Sequence, residues 1–206
     1  MRAWLAGLAA AALAFAGAAL WWRKNPSACP YSQRIWVQAP HPFITVERLL
    51  EVLAPQPGET VLEVGPGTGY YTLDVAARLG EDGRLEILDV QREMLDHTME
   101  RARDAGFESI HPTQSDARGM PFEDGTFDAA YLVTVLGEIP DQAAAMRELA
   151  RVLRPGGRLV VGELIADPHY VGINPMRLRA AAAGLEFERR EGGRLGYFAR
   201  FGKPAG

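Results

Sequence analysis

The sequence is poor in the residues from which several kinds of functional site are built. Its 206 residues include a single cysteine, Cys29, which excludes an internal disulfide and any zinc or iron–sulfur site that needs several cysteines. The four histidines are scattered without the spacing of metal ligands: His41, His97, His111 and His169. We therefore predict that the protein holds no metal.

Dense clusters of positive charge are also missing. Lysine and arginine number 22 against 26 acidic residues, so the formal net charge is -4. Because phosphate backbones attract clustered lysine and arginine, we expect no nucleic-acid partner. The 48% share of apolar residues is enough for one domain with a sizeable core and a short extension.

One apolar run near the N-terminus stands apart from the rest of the chain. Ala3–Trp22 contains twenty residues without a charge. As a helix it would span roughly 30 Å, the thickness of a bilayer's hydrocarbon core. Trp4 at one end and Trp21 and Trp22 at the other are placed like interfacial aromatic residues. We predict an uncleaved membrane anchor in residues 1–24.

Other interpretations of this run are possible. A cleaved signal peptide would have a shorter apolar core, of roughly 7–15 residues, and Ala16–Gly17–Ala18 resembles a cleavage site. A lipoprotein signal would need its small residues directly before Cys29, but that cysteine lies beyond Arg23 and Lys24. A helix lying on the membrane surface would need a polar face, which this run lacks.

From Val61 onward, short apolar strands alternate with segments of helical periodicity, which predicts a parallel sheet covered on both faces. The predicted strands are Val61–Val64, Leu85–Val90, Ile110–Gln114, Phe127–Val135, Arg158–Glu163, Leu185–Arg190 and Leu195–Phe201. The predicted helices are Phe43–Leu53, Tyr70–Leu79, Gln91–Ala105, Asp141–Leu153 and one that begins at an Asn174 cap and ends at Gly184. The last two strands form a hairpin around Gly192–Gly193. The fold is thus a Rossmann-like, doubly wound α/β domain in residues 59–206, preceded by a linker and N-terminal helix or lid in residues 25–58.

The stretch VLEVGPGTGYYT, Val61–Thr72, carries the main functional signal. A strand runs into glycines spaced two apart, Gly65, Gly67 and Gly69. The dinucleotide pattern G-x-G-x-x-G would require another glycine where Tyr70 stands, so an NAD oxidoreductase is disfavoured.

Three acids stand at the ends of successive strands: Glu63, Asp89 and Asp116. These ends gather at the crevice where α/β sheets bind ligands. Three carboxylates would repel a pyrophosphate but suit a cation such as S-adenosylmethionine. Asp89 is placed to accept from the ribose diol, and Asp116 can accept from the adenine amine.

Four segments together resemble the class I S-adenosylmethionine-dependent methyltransferases: VLEVGPGTGYYT, LDVQREML, SDARGMPFEDGTFDAAYLVTVLGEIPD and RVLRPGGRLVVGE. They cover Thr60 to Glu163 and are most similar to the branch that includes the ubiquinone/menaquinone biosynthesis C-methyltransferases. The resemblance implies a mostly parallel, seven-stranded sheet with a C-terminal antiparallel hairpin, and S-adenosylmethionine as the cofactor.

The resemblance also implies which residues contact the cofactor: Glu63, Gly65, Gly67, Thr68, Gly69, Asp89, Val90, Asp116, Ala117 and Thr134. The glycines would let the backbone approach the methionine and ribose, because glycine lacks a Cβ and tolerates positive φ. A base is needed only if the acceptor must lose a proton. The candidates are Glu138, favoured because its loop faces the methyl group in relatives, together with His41, His169 and Tyr170.

The acceptor is less well defined. Leu136–Ile139 lacks the N/D-P-P-Y-type motif of DNA and protein-amide methylases, which disfavours that class. Since Ile165–Ile173 is short, acceptor recognition would fall on Asn25–Glu47, next to the anchor. This predicts an acceptor at the membrane, either a prenylated quinol, another isoprenoid phenol or a phospholipid amine.

The predicted location follows from the cofactor. S-adenosylmethionine is made in the cytoplasm, so we expect a single-pass, membrane-anchored protein whose catalytic domain faces the cytoplasm. A membrane-tethered sensor or scaffold that binds the cofactor without catalysis is the alternative. Nothing in the sequence indicates an oligomeric state.

Overall fold

The protein is described by a computed structural model that covers residues 25–35 and 41–206. Its centre is a seven-stranded sheet with the strand order β3-β2-β1-β4-β5-β7-β6. The strands are β1 Thr60–Val64, β2 Arg84–Asp89, β3 Ile110–Gln114, β4 Phe127–Val133, β5 Leu153–Leu164, β6 Glu186–Gly192 and β7 Gly196–Gly202. Strands β1 to β5 pair in parallel, and β7 is antiparallel to both β5 and β6. The predicted mostly parallel sheet and C-terminal hairpin are therefore confirmed.

The helices lie where the periodicity places them, with small shifts at their ends. They are α1 Val46–Leu53, α2 Thr72–Leu79, α3 Arg92–Asp104, α4 Gln142–Val152 and α5 Ile173–Ala182. Helix α1 begins after Thr45, whose side chain accepts a hydrogen bond from the Arg48 N–H at 3.3 Å, as N-cap residues do. Two 3₁₀ turns, Tyr31–Gln33 and Leu136–Glu138, lie beside the site.

The predicted cap of the last helix is wrong. Gly172 is the N-cap of α5, and Asn174 and Pro175 lie inside the first turn. Proline is tolerated there because its missing N–H would have no partner within the helix. The helix therefore starts two residues before the position that the Asn-Pro pair suggested.

Both faces of the sheet are covered by apolar packing. Leu62 and Val64 of β1 face a core that α4 and α5 complete, while Val61 faces the core formed with α1, α2 and α3. Neighbouring residues of a strand point to opposite faces, so Glu63 lies on the same side as Val61. Burial on both faces is the arrangement typical of parallel sheets.

The register of the strands brings several strand ends to one edge. Val64 is opposite Leu88 of β2 and Leu132 of β4, so β1, β2 and β4 end close together. The strand order reverses direction at β1 and β4. In doubly wound sheets, ligands bind in the crevice outside the carboxyl ends of the strands at such a reversal.

The structure leaves the predicted membrane anchor untested. Ala3–Trp22 lies outside the described residues. Across residues 25–35 and 41–206, no helix combines the length and the apolar character needed to cross a bilayer.

Candidate active site

The glycine loop after β1 is shaped by its contacts with protein side chains. Gly65, Gly67 and Gly69 have φ angles of 69°, 57° and 78°, in the left-handed region that favours glycine. A Cβ on Gly65 would overlap the side chain of Val135, and one on Gly69 would come within 3.0 Å of Thr98 Cγ2. Approach of the ligand is therefore not the only reason for these glycines, because at Gly65 and Gly69 the protein's own packing already requires them.

A cleft lies at the predicted strand ends and encloses about 920 Å³, its open mouth included. Eight of the predicted site residues line it: Gly65, Gly67, Asp89, Val90, Asp116, Ala117, Thr134 and Glu138. Thr134 itself has a φ of 57°, which is uncommon for a residue other than glycine. Such strained backbone occurs often at binding sites, where the surrounding structure holds it in place.

The remaining predicted cofactor residues lie behind or within the loop. Thr68 is fully buried, and its carbonyl accepts a hydrogen bond from the guanidinium of Arg101. Glu63 is also buried and accepts a hydrogen bond from Thr72 Oγ1 at 2.6 Å. Burial raises the pKa of Glu63 to about 7, against the opposing effect of the Thr72 bond. Glu63 therefore ties the loop to the start of α2.

Asp89, at the end of β2, is a buried carboxyl at the wall of the cleft. It is 8% exposed, and the main-chain N–H of Gln91 donates to its Oδ1 at 2.9 Å. Burial raises its pKa to about 6, although the N–H groups of Gln91 and Val90 oppose the shift. A carboxylate offers about four acceptor sites, so capacity remains for a diol.

Asp116 has different surroundings from Asp89. Its side chain is 43% exposed, and Arg118 Nη2 lies 2.6 Å from its Oδ2. This ion pair lowers the pKa of Asp116. The carboxylate is thus ionised at neutral pH and already engaged by a neighbouring guanidinium.

The chemistry of the cleft fits S-adenosylmethionine. Among the described residues that line it, carboxyl groups are present and lysine and arginine are not. Such a lining suits a ligand with a sulfonium and an ammonium, and it offers no cationic side chain to a pyrophosphate. Asp89 would hold the ribose, Asp116 and Ala117 the edge of the adenine, and Val90 its apolar face.

A second cavity lies beside the first. It encloses about 1520 Å³, its open mouth included. The two cavities share Ser27, Cys29, Gly65, Val133, Thr134 and Glu138. The candidates Glu138, His41 and His169 all line the second cavity, so the structure brings the three together. Tyr170 packs edge-on against Tyr197 instead, with ring centroids 6.2 Å apart.

Glu138 is an acid that lines both cavities. Burial, with a smaller effect of the nearby carboxyls of Asp167 and Asp89, raises its pKa to about 8, while a hydrogen bond from the Cys29 N–H opposes the shift. The Cys29 nitrogen lies 3.3 Å from Glu138 Oε2. A carboxyl with a pKa near the working pH is suited to general base catalysis.

Asp167 is a site residue that sequence reasoning missed. It lines the second cavity, and its Oδ1 accepts a hydrogen bond from the His169 N–H at 2.6 Å. Burial raises the pKa of Asp167, and the N–H and the charge of His169 oppose this. The only signal in the sequence was its position two residues before a candidate histidine.

His41 contributes an aromatic wall. Its ring lies edge-on to Tyr70 at 4.9 Å and is stacked with Tyr71 at 6.4 Å. Burial lowers the pKa of His41, so its imidazole is neutral at physiological pH. Tyr71 is held by its hydroxyl, which donates to the Ile44 carbonyl at 2.6 Å. These rings give the second cavity an apolar, aromatic side opposite its carboxyls.

Comparison with known protein families identifies one matching model. Residues 44–171 match the model described as the ubiE/COQ5 methyltransferase family. A protein of Vibrio vulnificus (strain YJ016) named ubiquinone/menaquinone biosynthesis C-methyltransferase UbiE is 37% identical over 117 residues, covering 55% of this chain and 45% of that protein. A Klebsiella pneumoniae protein of the same name is 37% identical over 107 residues, covering 52% of this chain and 43% of its own length. The chain thus spans about half the length of the curated relatives that it matches.

Solved structures share the fold. A S-adenosylmethionine-dependent methyltransferase from Aquifex aeolicus superposes with a TM-score of 0.78 at 22% identity, covering 85% of this chain and 99% of that one. The [4+2]-cyclase SpnF superposes with a TM-score of 0.70 at 21% identity, covering 78% of this chain and 80% of that one. The resemblance inferred from the sequence is confirmed, and S-adenosylmethionine is the cofactor that family and fold imply.

Proposed function

Because the chain belongs to the ubiE/COQ5 methyltransferase family, we propose that it transfers the methyl group of S-adenosylmethionine to a prenylated quinol held in the second cavity. The observation that carries this proposal is that Thr134 and Glu138 line both cavities, so the two cavities are neighbours. A cofactor in the first cavity would have the second beside it, so an acceptor there could approach without leaving the protein.

The lining of the second cavity supports a neutral aromatic acceptor. Tyr70, Tyr71 and His41 supply rings, and Glu138 and Asp167 supply hydrogen-bond acceptors. Among the described residues that line either cavity there is no lysine or arginine. A phospholipid amine would bring a phosphate that needs such a cation. A prenylated quinol or another isoprenoid phenol fits better than a phospholipid.

In this proposal, Glu138 acts as the general base. S-adenosylmethionine supplies a methyl group already activated by its positive sulfur. The Glu138 carboxylate accepts the proton of the acceptor hydroxyl, and this makes the aromatic ring a better nucleophile. The ring carbon that takes the methyl group would then lose its hydrogen as a proton, and the phenol oxygen would take a proton back, so that the ring becomes aromatic again. The remaining task of the chain is to align the acceptor and exclude water, which can contribute roughly 7–11 kcal/mol.

The proposal is tested by methyl transfer from labelled S-adenosylmethionine to a short-chain prenylated quinol, with mass spectrometry of the product. Since a base must be ionised, kcat/KM of the free enzyme should rise with pH through about 8, the pKa of Glu138, and then level off. Glu138→Gln should lower kcat by about 10²–10⁴ and remove this pH dependence.

The matched control is Glu123→Gln, because Glu123 is exposed and lines neither cavity. It should leave rate and pH profile unchanged. Tight binding of S-adenosylhomocysteine without methyl transfer to any phenol in a lipid extract would instead favour the non-catalytic sensor or scaffold. A wild-type protein that binds neither sulfur ligand would exclude both functions.

We also propose that residues 1–24 anchor the protein in a membrane, with the domain facing the cytoplasm. The described segment that follows, Asn25–Ile35, includes residues lining both cavities, so an anchor there would hold the site near the bilayer. Removal of residues 1–24 should preserve cofactor affinity and reduce transfer to a membrane-embedded quinol more strongly. A mature chain beginning after Ala18 would overturn the anchor.

A further inference from the structure

The segment Ser27–Gln33, called the strap from here on, is a wall common to both cavities. Ser27, Ala28 and Cys29 line the cofactor cleft, and Ser27, Cys29 and Gln33 line the second cavity. A ligand held in either cavity would therefore lie beside this segment. What holds the strap in place then bears on how fast ligands exchange.

The strap is fastened by the side chain of Gln91. Gln91 Nε2 donates to the Cys29 carbonyl at 2.9 Å, and Gln91 Oε1 accepts from the Tyr31 N–H at 3.1 Å. One amide group thus pairs with a carbonyl and an N–H two residues apart, as a neighbouring β-strand would. Both polar ends of the Gln91 side chain are used by the strap.

The same residue is bonded to the predicted ribose-binding acid. The main-chain N–H of Gln91 donates to Asp89 Oδ1 at 2.9 Å. Gln91 therefore lies directly between the carboxylate that would hold the cofactor and the segment that covers it. Replacing its side chain would remove the strap contacts and keep the main-chain bond to Asp89.

Little else fixes the strap. Between Asn25 and Ile35 no residue is fully buried, so apolar packing contributes little. The described contacts that also join the strap to the domain include the Cys29 N–H bond to Glu138 and a 3.3 Å approach of the Tyr31 hydroxyl to His97 Nδ1, while the Arg34 guanidinium over the Tyr31 ring is a contact within the segment. Segments with few buried apolar contacts open at low free-energy cost.

We propose that Gln91 is a positioning residue that clamps the strap over the cofactor cleft and thereby sets the rate at which the cofactor and its product exchange. The inference rests on the proposed use of this cleft for S-adenosylmethionine. The two Gln91 side-chain bonds are formed without a ligand, so entry and release of the cofactor both require them to break, and the clamp slows both association and dissociation.

The test uses the full-length chain with Gln91→Met, which keeps the length of the side chain and removes both hydrogen bonds. S-adenosylhomocysteine should dissociate about tenfold faster in stopped-flow displacement, because two net hydrogen bonds of ordinary strength are lost. The association rate should rise by a similar factor, so the equilibrium affinity should change little. Hydrogen exchange of the Tyr31 amide, the direct partner of Gln91 Oε1, should accelerate in the ligand-free protein.

Two further variants separate the clamp from a general structural effect. Gln91→Glu keeps an acceptor for the Tyr31 N–H and loses the donor to Cys29, so the Tyr31 amide should remain slow to exchange. Gln114→Met removes an amide that donates to the Val90 carbonyl at 3.1 Å, on the neighbouring loop, without a bond to the strap. It should leave dissociation and Tyr31 exchange unchanged.

The outcomes are distinct. Wild-type dissociation or wild-type Tyr31 exchange in Gln91→Met would overturn the clamp, and so would equal acceleration in Gln114→Met. If the wild-type protein bound no S-adenosylhomocysteine, the proposed function would fail. The Tyr31 exchange of ligand-free Gln91→Met and Gln91→Glu would then still decide whether Gln91 holds the strap.

Discussion

At the scale of single residues, two aspartates with similar places in the sequence have different surroundings. Asp89 is 8% exposed, and its carboxyl receives main-chain N–H groups. We expect Asp89→Asn to weaken S-adenosylhomocysteine binding by about 1.5–3 kcal/mol, the range for a hydrogen bond to a charged group. Isothermal titration calorimetry of the folded variant measures this loss.

Asp116→Asn is the matched comparison, because both variants exchange a carboxylate for an amide of the same shape. Asp116 is 43% exposed and is already paired with Arg118. Exposed charged contacts contribute about 0.2–1 kcal/mol, so the loss should be smaller. Equal losses at the two positions would show that burial does not distinguish their roles.

At the scale of secondary-structure elements, the turn Leu136–Glu138 packs closely against the loop after β5. A Cβ on Gly137 would overlap the carbonyl oxygen of His169. Gly137→Ala must therefore displace Glu138 or the loop that carries Asp167 and His169. Because misplacement of a reacting group by about 1 Å can cost 10²-fold in rate, we expect a fall of that order in methyl transfer.

Gly119→Ala is the control for this close approach. Gly119 lies in the loop after β3, and a Cβ there would meet no atom within 4 Å. Steady-state rates of both variants measure the effect on methyl transfer, and circular dichroism shows whether each variant is folded. A folded Gly137→Ala enzyme with the wild-type rate would mean that the turn tolerates displacement and that the position of Glu138 is not critical.

Most elements of the fold could be predicted because a parallel sheet buries its strands on both faces. Ile110–Gln114 was predicted with the bounds of β3, and Phe127–Val135 ends two residues beyond β4. The end of the fourth helix was less predictable: Leu153 is already extended, because it pairs with Phe127 and starts β5. A long apolar run identifies an element even when its last residues could be helical or extended. The exact end of the element depends on the tertiary contacts of those last residues, which the local sequence does not show.

The placement of Asp89 could be predicted from the parallel topology, because it stands at the end of a strand. Thr134 and Glu138 were assigned from the family resemblance, and both line the cavities. The contact between Cys29 and Glu138 joins residues separated by 109 positions, and the clamp of Gln91 on Tyr31 joins residues separated by 60. Neither contact could be predicted from a local sequence pattern. Each depends on how the segment that contains Cys29 and Tyr31, which has no periodicity, packs against the folded sheet.

At the scale of the whole molecule, four acids with raised pKa values make the stability of the fold depend on pH. Burial raises the pKa of Glu63 to about 7, that of Asp89 to about 6, and those of Glu138 and Glu163 to about 8. Between pH 4.5 and about 8, the folded protein therefore holds protons that the unfolded chain has released. Stability falls with rising pH wherever the folded state binds more protons.

We thus expect the ligand-free protein to be more stable near pH 5.5 than near pH 8.5. The difference in unfolding free energy should be on the order of a few kcal/mol and should level off above about pH 8 to 9. Acids stabilised by arginine, such as Glu59 and Glu148, have lowered pKa values and exert their effect at lower pH, so they do not cancel this trend. Thermal and urea unfolding across this pH range measure it.

Glu163→Gln isolates one contributor without touching the lining of either cavity. Glu163 is 1% exposed, its Oε2 accepts from the Val171 N–H at 3.0 Å, and its buried Oε1 has no hydrogen-bond partner among the described residues. A neutral amide keeps the bond to Val171 and never ionises, so the variant should lose less stability than wild type between pH 5.5 and 8.5. The exposed Glu123→Gln should keep the wild-type slope. If Glu163→Gln also keeps that slope, ionisation of Glu163 does not contribute to the loss of stability with rising pH. The pH dependence must then be assigned to the acids of the cleft.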